Sequence, residues 1–166
     1  MIPHLTCIAT LEGHTGWVLT LVELHNGDVI SGSEDKTIKV WNMKTKTCIG
    51  TLKGHASWVN TLVELQNGDV ISGSCDKTIE VGNMKTITCI ATLEGHTDMV
   101  LTLVELQNGD VISGSYDKTI LVWNMKTKTC IATLEGHTDY VLTLVELHNG
   151  DVISGSEDKT IKVWRN

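Results

Sequence analysis

The 166-residue sequence contains no phenylalanine and a single proline, and none of its apolar stretches approaches the about 20 residues needed to span a bilayer. Its start, Met1-Ile2-Pro3-His4, has neither the basic nor the apolar region of a secretory leader. Positive charge is scarce too. The 13 Lys and Arg residues against 20 Asp and Glu give a formal charge of −7, which opposes the phosphate attraction behind nucleic-acid binding. Neither a membrane nor a nucleic acid is therefore expected as a partner. The cysteines lack the close spacing of a metal site: Cys7, Cys48, Cys89 and Cys130 lie 41 residues apart, and Cys75 stands alone. They read as small buried apolar side chains of a cytoplasmic protein in a reducing compartment. No metal and no cofactor is expected.

What the sequence has in quantity is glycine, 15 residues, and internal repetition. Gly13-His14, Gly54-His55, Gly95-His96 and Gly136-His137 follow one another at 41-residue intervals, and segments 7–47 and 89–129 are identical at 36 of 41 positions. A period of about 40 to 45 residues, with Gly-His near its start and tryptophan near its end, marks a propeller blade. The repeats run approximately over 7–47, 48–88, 89–129 and 130–166 of one domain, 1–166.

Within the first unit, β-branched residues concentrate in four short stretches, 6–11, 17–24, 29–33 and 37–41. Asn26-Gly27 between the second and third predicts a type I′ hairpin, and Glu34-Asp35-Lys36 a further turn. No window holds a helical i, i+3, i+4, i+7 apolar pattern. The expectation is an all-β propeller of four-stranded antiparallel blades, four per chain.

Gly-His, then Ser-Gly-Ser-x-Asp, then Val-Trp, recurring in register over nearly the whole chain, resembles the WD-repeat β-propeller family. The resemblance implies that the inner strand of a blade follows the Gly-His turn, so that sequence unit and structural blade are offset by one strand. It also implies a hydrogen-bonded set on His14, Ser31, Asp35 and Trp41. The other copies supply His55, Ser72 and Asp76; His96, Ser113, Asp117 and Trp123; and His137, Ser154, Asp158 and Trp164. The second unit departs from the pattern, with Gly82 in place of tryptophan. A His-Asp-Ser trio invites comparison with a hydrolase triad, but four repeated copies with no singular variant suit a structural network better than a catalytic one. No catalytic residue is assigned, and the repeat histidines are too dispersed to share a metal. His4, His25 and His148 fall near turns or the terminus and are expected in solvent.

The copies differ in a few columns. Two of these, Trp17, Trp58, Met99 and Tyr140 together with Glu34, Cys75, Tyr116 and Glu157, adjoin the Gly-His and Ser-x-Asp turns. The resemblance places both turns on one face around the central channel, the usual partner-binding face. Aromatic and methionine side chains beside carboxylates suit an extended basic peptide. Residues 5–11 match the outer strand of a blade, while the last unit stops at Trp164 before that strand recurs. Two chains joined head to tail would make eight blades, so a homodimeric, non-enzymatic scaffold is expected. The alternatives are a recently amplified or engineered repeat with no specific ligand, and a small-molecule binder using the channel.

Overall fold

Valine, isoleucine and threonine gather between the turn residues, and fifteen short strands form there in the computed structural model, which describes residues 3–165. The first blade comprises β1 (Val18–Glu23), β2 (Val29–Ser33), β3 (Thr37–Asn42) and β4 (Thr47–Lys53). The second comprises β5 (Val59–Glu64), β6 (Val70–Ser74), β7 (Ile79–Asn83) and β8 (Thr88–Leu93), and the third β9 (Val100–Glu105), β10 (Val111–Ser115), β11 (Ile120–Asn124) and β12 (Thr129–Leu134). The fourth has three strands, β13 (Val141–Glu146), β14 (Val152–Ser156) and β15 (Ile161–Trp164). Consecutive strands pair antiparallel in every blade. Each outer strand is drawn from the start of the following sequence repeat, as β4 is from the repeat that opens at Cys48.

Three expectations are corrected. Segment 6–11 is not a strand: it is irregular, with Leu5 97% and Ile8 87% exposed. Its copies β4, β8 and β12 each pair with the third strand of their blade, and among the described residues no such strand lies before segment 6–11. The Asn-Gly hairpins are not type I′ either. Gly27 N–H donates to the Leu24 carbonyl at 2.8 Å and Leu24 N–H donates to the Asp28 carbonyl at 2.8 Å, while Gly27 alone takes a positive φ, +88°. This is a type I turn closed by a left-handed glycine. Asn26 stays right-handed, its Oδ1 accepting the Asp28 N–H at 2.9 Å. Finally, Cys7, Cys48, Cys89 and Cys130 are exposed and Cys75 is half-buried. The last three of the repeat cysteines sit near the start of the outer strands, on the exposed stretch of each.

The core lies between blades. One apolar cluster centres on Ile38, Val40, Val59 and Leu62 at the first junction, a second on Ile79, Val81, Val100 and Leu103, and a third on Ile120, Val141 and Leu144. The valines that open the inner strands of the second, third and fourth blades each seat on the glycine of the preceding blade's Ser-Gly-Ser: a Cβ added to Gly32, Gly73 or Gly114 would lie 2.7 Å from Val59, Val100 or Val141. Only glycine lets the blades approach so closely. Gly155 in the fourth blade meets no such valine.

Candidate functional site

In the first blade, His14 Nδ1 lies 2.7 Å from Asp35 Oδ2 and His14 Nε2 lies 2.6 Å from Ser31 Oγ, while Trp41 Nε1–H donates to Ser31 Oγ at 2.8 Å. The carboxylate can only accept, so Nδ1 carries the proton, Nε2 accepts from the serine hydroxyl, and the serine oxygen accepts from the indole. His96, Ser113, Asp117 and Trp123 repeat this relay at 2.7, 2.6 and 2.8 Å, and His137, Ser154, Asp158 and Trp164 at 2.7, 2.7 and 2.8 Å. In the second blade His55 meets Asp76 and Ser72 at 2.8 Å each, and no indole completes the chain.

The aspartates also hold the turns. Asp35 Oδ1 accepts the Thr37 N–H at 2.9 Å and the Thr37 hydroxyl at 2.6 Å, and its Oδ2 accepts the Thr15 N–H at 3.0 Å. Burial disfavours the charged form, but the hydrogen bonds from Thr37 and His14 outweigh it and hold the Asp35 carboxyl well below its ordinary range. At Asp117 the bonds from His96 and Thr119 do the same, and at Asp76 the bond from Thr78 leads. The threonines Thr37, Thr78, Thr119 and Thr160 belong to the network and escaped the sequence reading, although Asp-Lys-Thr is present in all four copies. Ser31, Ser72, Ser113 and Ser154 are buried with both their hydrogen-bonding roles directed inside the blade, except at Ser72. The arrangement clamps the Gly-His segment to the second and third strands.

The variable columns meet beside these clamps. Backbone N–H groups of Glu34, Cys75, Tyr116 and Glu157 donate to the carbonyls of Trp17, Trp58, Met99 and Tyr140 at 2.9 to 3.0 Å, so each pair occupies one spot at the mouth of its blade. Trp17 and Trp58 are exposed, while Met99, Tyr116 and Tyr140 are half-buried. The Tyr116 ring stacks on Tyr140 across the junction of the third and fourth blades, centroids 3.9 Å apart and planes 6° from parallel. Of the solvent histidines, His25 Nδ1 lies 2.9 Å from Glu64 Oε2 of the next blade.

A WD domain, G-beta repeat family model matches four times, over residues 5–42, 46–81, 87–124 and 128–165. The chain belongs to the WD40 repeat family, whose propeller domains generally serve as protein-interaction scaffolds rather than enzymes. Among solved structures, it is similar to U3-55K (TM-score 0.86, 25% identity over 94% of this chain and 51% of that one). It is similar also to the WD40 repeats of RRP9 (0.86, 26%, 93% and 49%) and to the WD40 propeller domain of Doa1 (0.84, 29%, 92% and 52%). The chain thus spans about half the length of these matched chains. A 37-residue stretch, 22% of this chain and 8% of the relative, is 54% identical to nuclear distribution protein PAC1 of Candida albicans.

Proposed function

We propose that this chain is a half-ring scaffold that closes with a second copy into an eight-bladed ring and presents its Gly-His face to a protein partner. The observation that supports closure is the pair of end faces. Val18 and Leu21 on the first blade are 51% and 65% exposed, whereas their copies Val59, Val100 and Val141 are fully buried and Leu62, Leu103 and Leu144 are 5% exposed. Ile161 and Val163 on the last blade are likewise bare, at 74% and 63%, where Ile38, Ile79 and Ile120 are buried. One end presents the valine that seats on a glycine, and the other presents Gly155 with no valine upon it. The β15 edge matches the unpaired segment 5–11, which would supply the missing outer strand head to tail.

Light scattering at micromolar concentration should give twice the 18.2 kDa chain mass, and Leu21→Asp should return the monomer. A parent protein that stays monomeric refutes closure. On the Gly-His face, Trp58, Met99 and the Tyr116–Tyr140 stack beside Glu34 and Glu157 favour an extended segment carrying Lys or Arg. Replacing Trp58 and Tyr140 by alanine should abolish capture of such a peptide with the assembly intact. Unchanged affinity would place the partner elsewhere.

A further inference from the structure

Each inner strand ends on a glutamate, Glu23, Glu64, Glu105 or Glu146, and the turn after it carries His25, Gln66, Gln107 or His148. The glutamate reaches back to the blade before its own. The His25 N–H donates to Glu64 Oε2 at 2.8 Å, the Gln66 N–H to Glu105 Oε2 at 2.9 Å and the Gln107 N–H to Glu146 Oε2 at 2.8 Å, one link across each junction. At the first junction the imidazole doubles the link: His25 Nδ1 lies 2.9 Å from the same Glu64 oxygen, and the Glu64 side chain is left only 11% exposed.

The series leaves one donor and one acceptor over. Among the described residues nothing accepts from the His148 N–H and nothing donates to the Glu23 carboxylate, and Glu23 is exposed where Glu64, Glu105 and Glu146 are half-buried. The turn that carries His148 is built as its copies are: Leu147 N–H donates to the Asp151 carbonyl at 2.7 Å, Gly150 N–H donates to the Leu147 carbonyl at 2.9 Å, and Gly150 takes φ +86° beside +88° at Gly27. Its N–H is therefore already set for the glutamate of a following blade. The surroundings of His25 show what that blade would bring, since Asp69 and Lys85 line one groove with Glu64; their first-blade copies are Asp28 and Lys44 beside Glu23. On its own blade His148 has Glu146, taken by the Gln107 N–H, and Asp151, held by Arg165 at 2.8 and 2.6 Å. Of these residue types only histidine ordinarily changes charge between about pH 5.5 and 8.

We propose that His148 of one chain grips Glu23 of a second copy, through its backbone N–H and its imidazole together, twice in each ring by symmetry. This rests on the closure into a ring proposed above. The backbone link repeats the three inside the chain, and the imidazole adds an ion pair as it does at His25. Only the protonated ring is a cation, so assembly raises its affinity for the proton. The ion pair's contribution is full in mild acid and is lost as pH rises through neutrality. Glutamine at 66 and 107 keeps two of the internal links free of this dependence, whereas histidine at 148 makes the junction between chains respond to pH.

The test is the dimer dissociation constant of the full chain, measured by sedimentation equilibrium at about pH 5.5 and about pH 8. His148→Gln copies Gln66 and Gln107 and keeps the backbone donor, so it should weaken the dimer about two- to tenfold at the lower pH and leave it unchanged at the higher. His25→Gln removes a pair inside the chain and should leave the dimer unchanged at both. In a Glu23→Gln chain, adding His148→Gln should cost nothing further at the lower pH. A His148→Gln loss of equal size at both pH values, no loss at the lower one, the same loss in His25→Gln, or a loss that persists in Glu23→Gln overturns the contact while a dimeric parent upholds the ring. A parent that is monomeric at both pH values overturns the contact and the ring together.

Discussion

The second and third blades share strand order, turns and the aspartate clamp, yet the second differs from the third in pairs of touching residues. Where the third has Trp123 and Leu121, the second has Gly82 and Glu80, with the carboxylate folded into the ring's space. At the first junction Gly50, alanine in the other copies, faces Ile87, lysine in the others, and a Cβ on Gly50 would fall 2.5 Å from the Ile87 side chain. Where the third has Leu101 and Tyr116, the second has Asn60 and Cys75: the Asn60 amide donates to the Val100 carbonyl at 3.0 Å and contacts Cys75 Sγ at 3.3 Å. Asn60 adds a polar group to the inner strand, and the Val100 carbonyl supplies that group's partner. Isolated departures in single columns are coupled changes in space, and the second blade holds together by compensation.

The comparison breaks most severely when the third blade is given the second blade's gap without its compensations. Trp123 is 1% exposed and donates to Ser113 at 2.8 Å. Trp123→Gly should cost about 3–5 kcal/mol, visible as a lower chemical-denaturation midpoint, whereas a cost under about 1 kcal/mol would show that the slot collapses freely. Next in size is the shared clamp. Asp76→Asn and Asp117→Asn should each cost about 1–3 kcal/mol at neutral pH, and by similar amounts, because the presence of an indole does not alter the acid end of the relay. The folded-state values of these carboxyls lie below the ordinary 3.8. Their stabilisation is therefore complete above about pH 4 and is lost as pH falls further toward the folded values. Unfolding curves from pH 7 to 2 in both variants should show a shallower acid limb than the parent.

The pairing of Gly50 with Ile87 gives a smaller and sharper effect. Gly50→Ala pushes a methyl into a β-branched side chain whose backbone already sits at φ +51°, a left-handed conformation unfavourable for isoleucine. It should cost about 1–3 kcal/mol alone. Adding Ile87→Lys, the residue found at Lys46 and Lys128, should recover at least about 1 kcal/mol of that. A double-mutant cycle with no coupling would mean the two substitutions arose independently.

Most of the strands were legible in the sequence because turn glycines and β-branched runs alternate so regularly. The relay residues were legible because Gly-His, Ser-x-Asp and Trp keep a fixed register. What escaped lies between blades. Gly50 and Ile87 are 37 residues apart, and only stacking of the first two blades brings them together. Both are lone departures in their columns, alanine and lysine standing in the other copies, which was the signal the sequence offered and the reading did not use. Asn26-Gly27 misled because the asparagine side chain holds its own loop in the right-handed region. The cysteine reading failed on a general tendency to burial that the outer strand, covered on one flank only, does not obey.

The smallest effect tests whether the second blade can return to the common pattern. The sequence leads one to expect that Gly82→Trp raises the melting temperature by refilling the wedge. In the folded blade, a Cβ on Gly82 would lie 3.3 Å from Leu52 Cδ1, a contact that a flexible leucine can relieve, while the ring itself would meet the Glu80 carboxylate. The indole regains its bond to Ser72 but must expel the acid. The single substitution should therefore stabilise by no more than about 1 kcal/mol. Combined with Glu80→Leu, which copies Leu121, the apolar wall and the relay are both restored, and the gain should rise by a further about 1–2 kcal/mol. If the single variant equals the double, Glu80 leaves the slot without cost and its burial is incidental to the missing ring. If both are destabilising, Leu52 and Val70 have closed over the gap, and the second blade has settled into a packing of its own that no longer admits the indole.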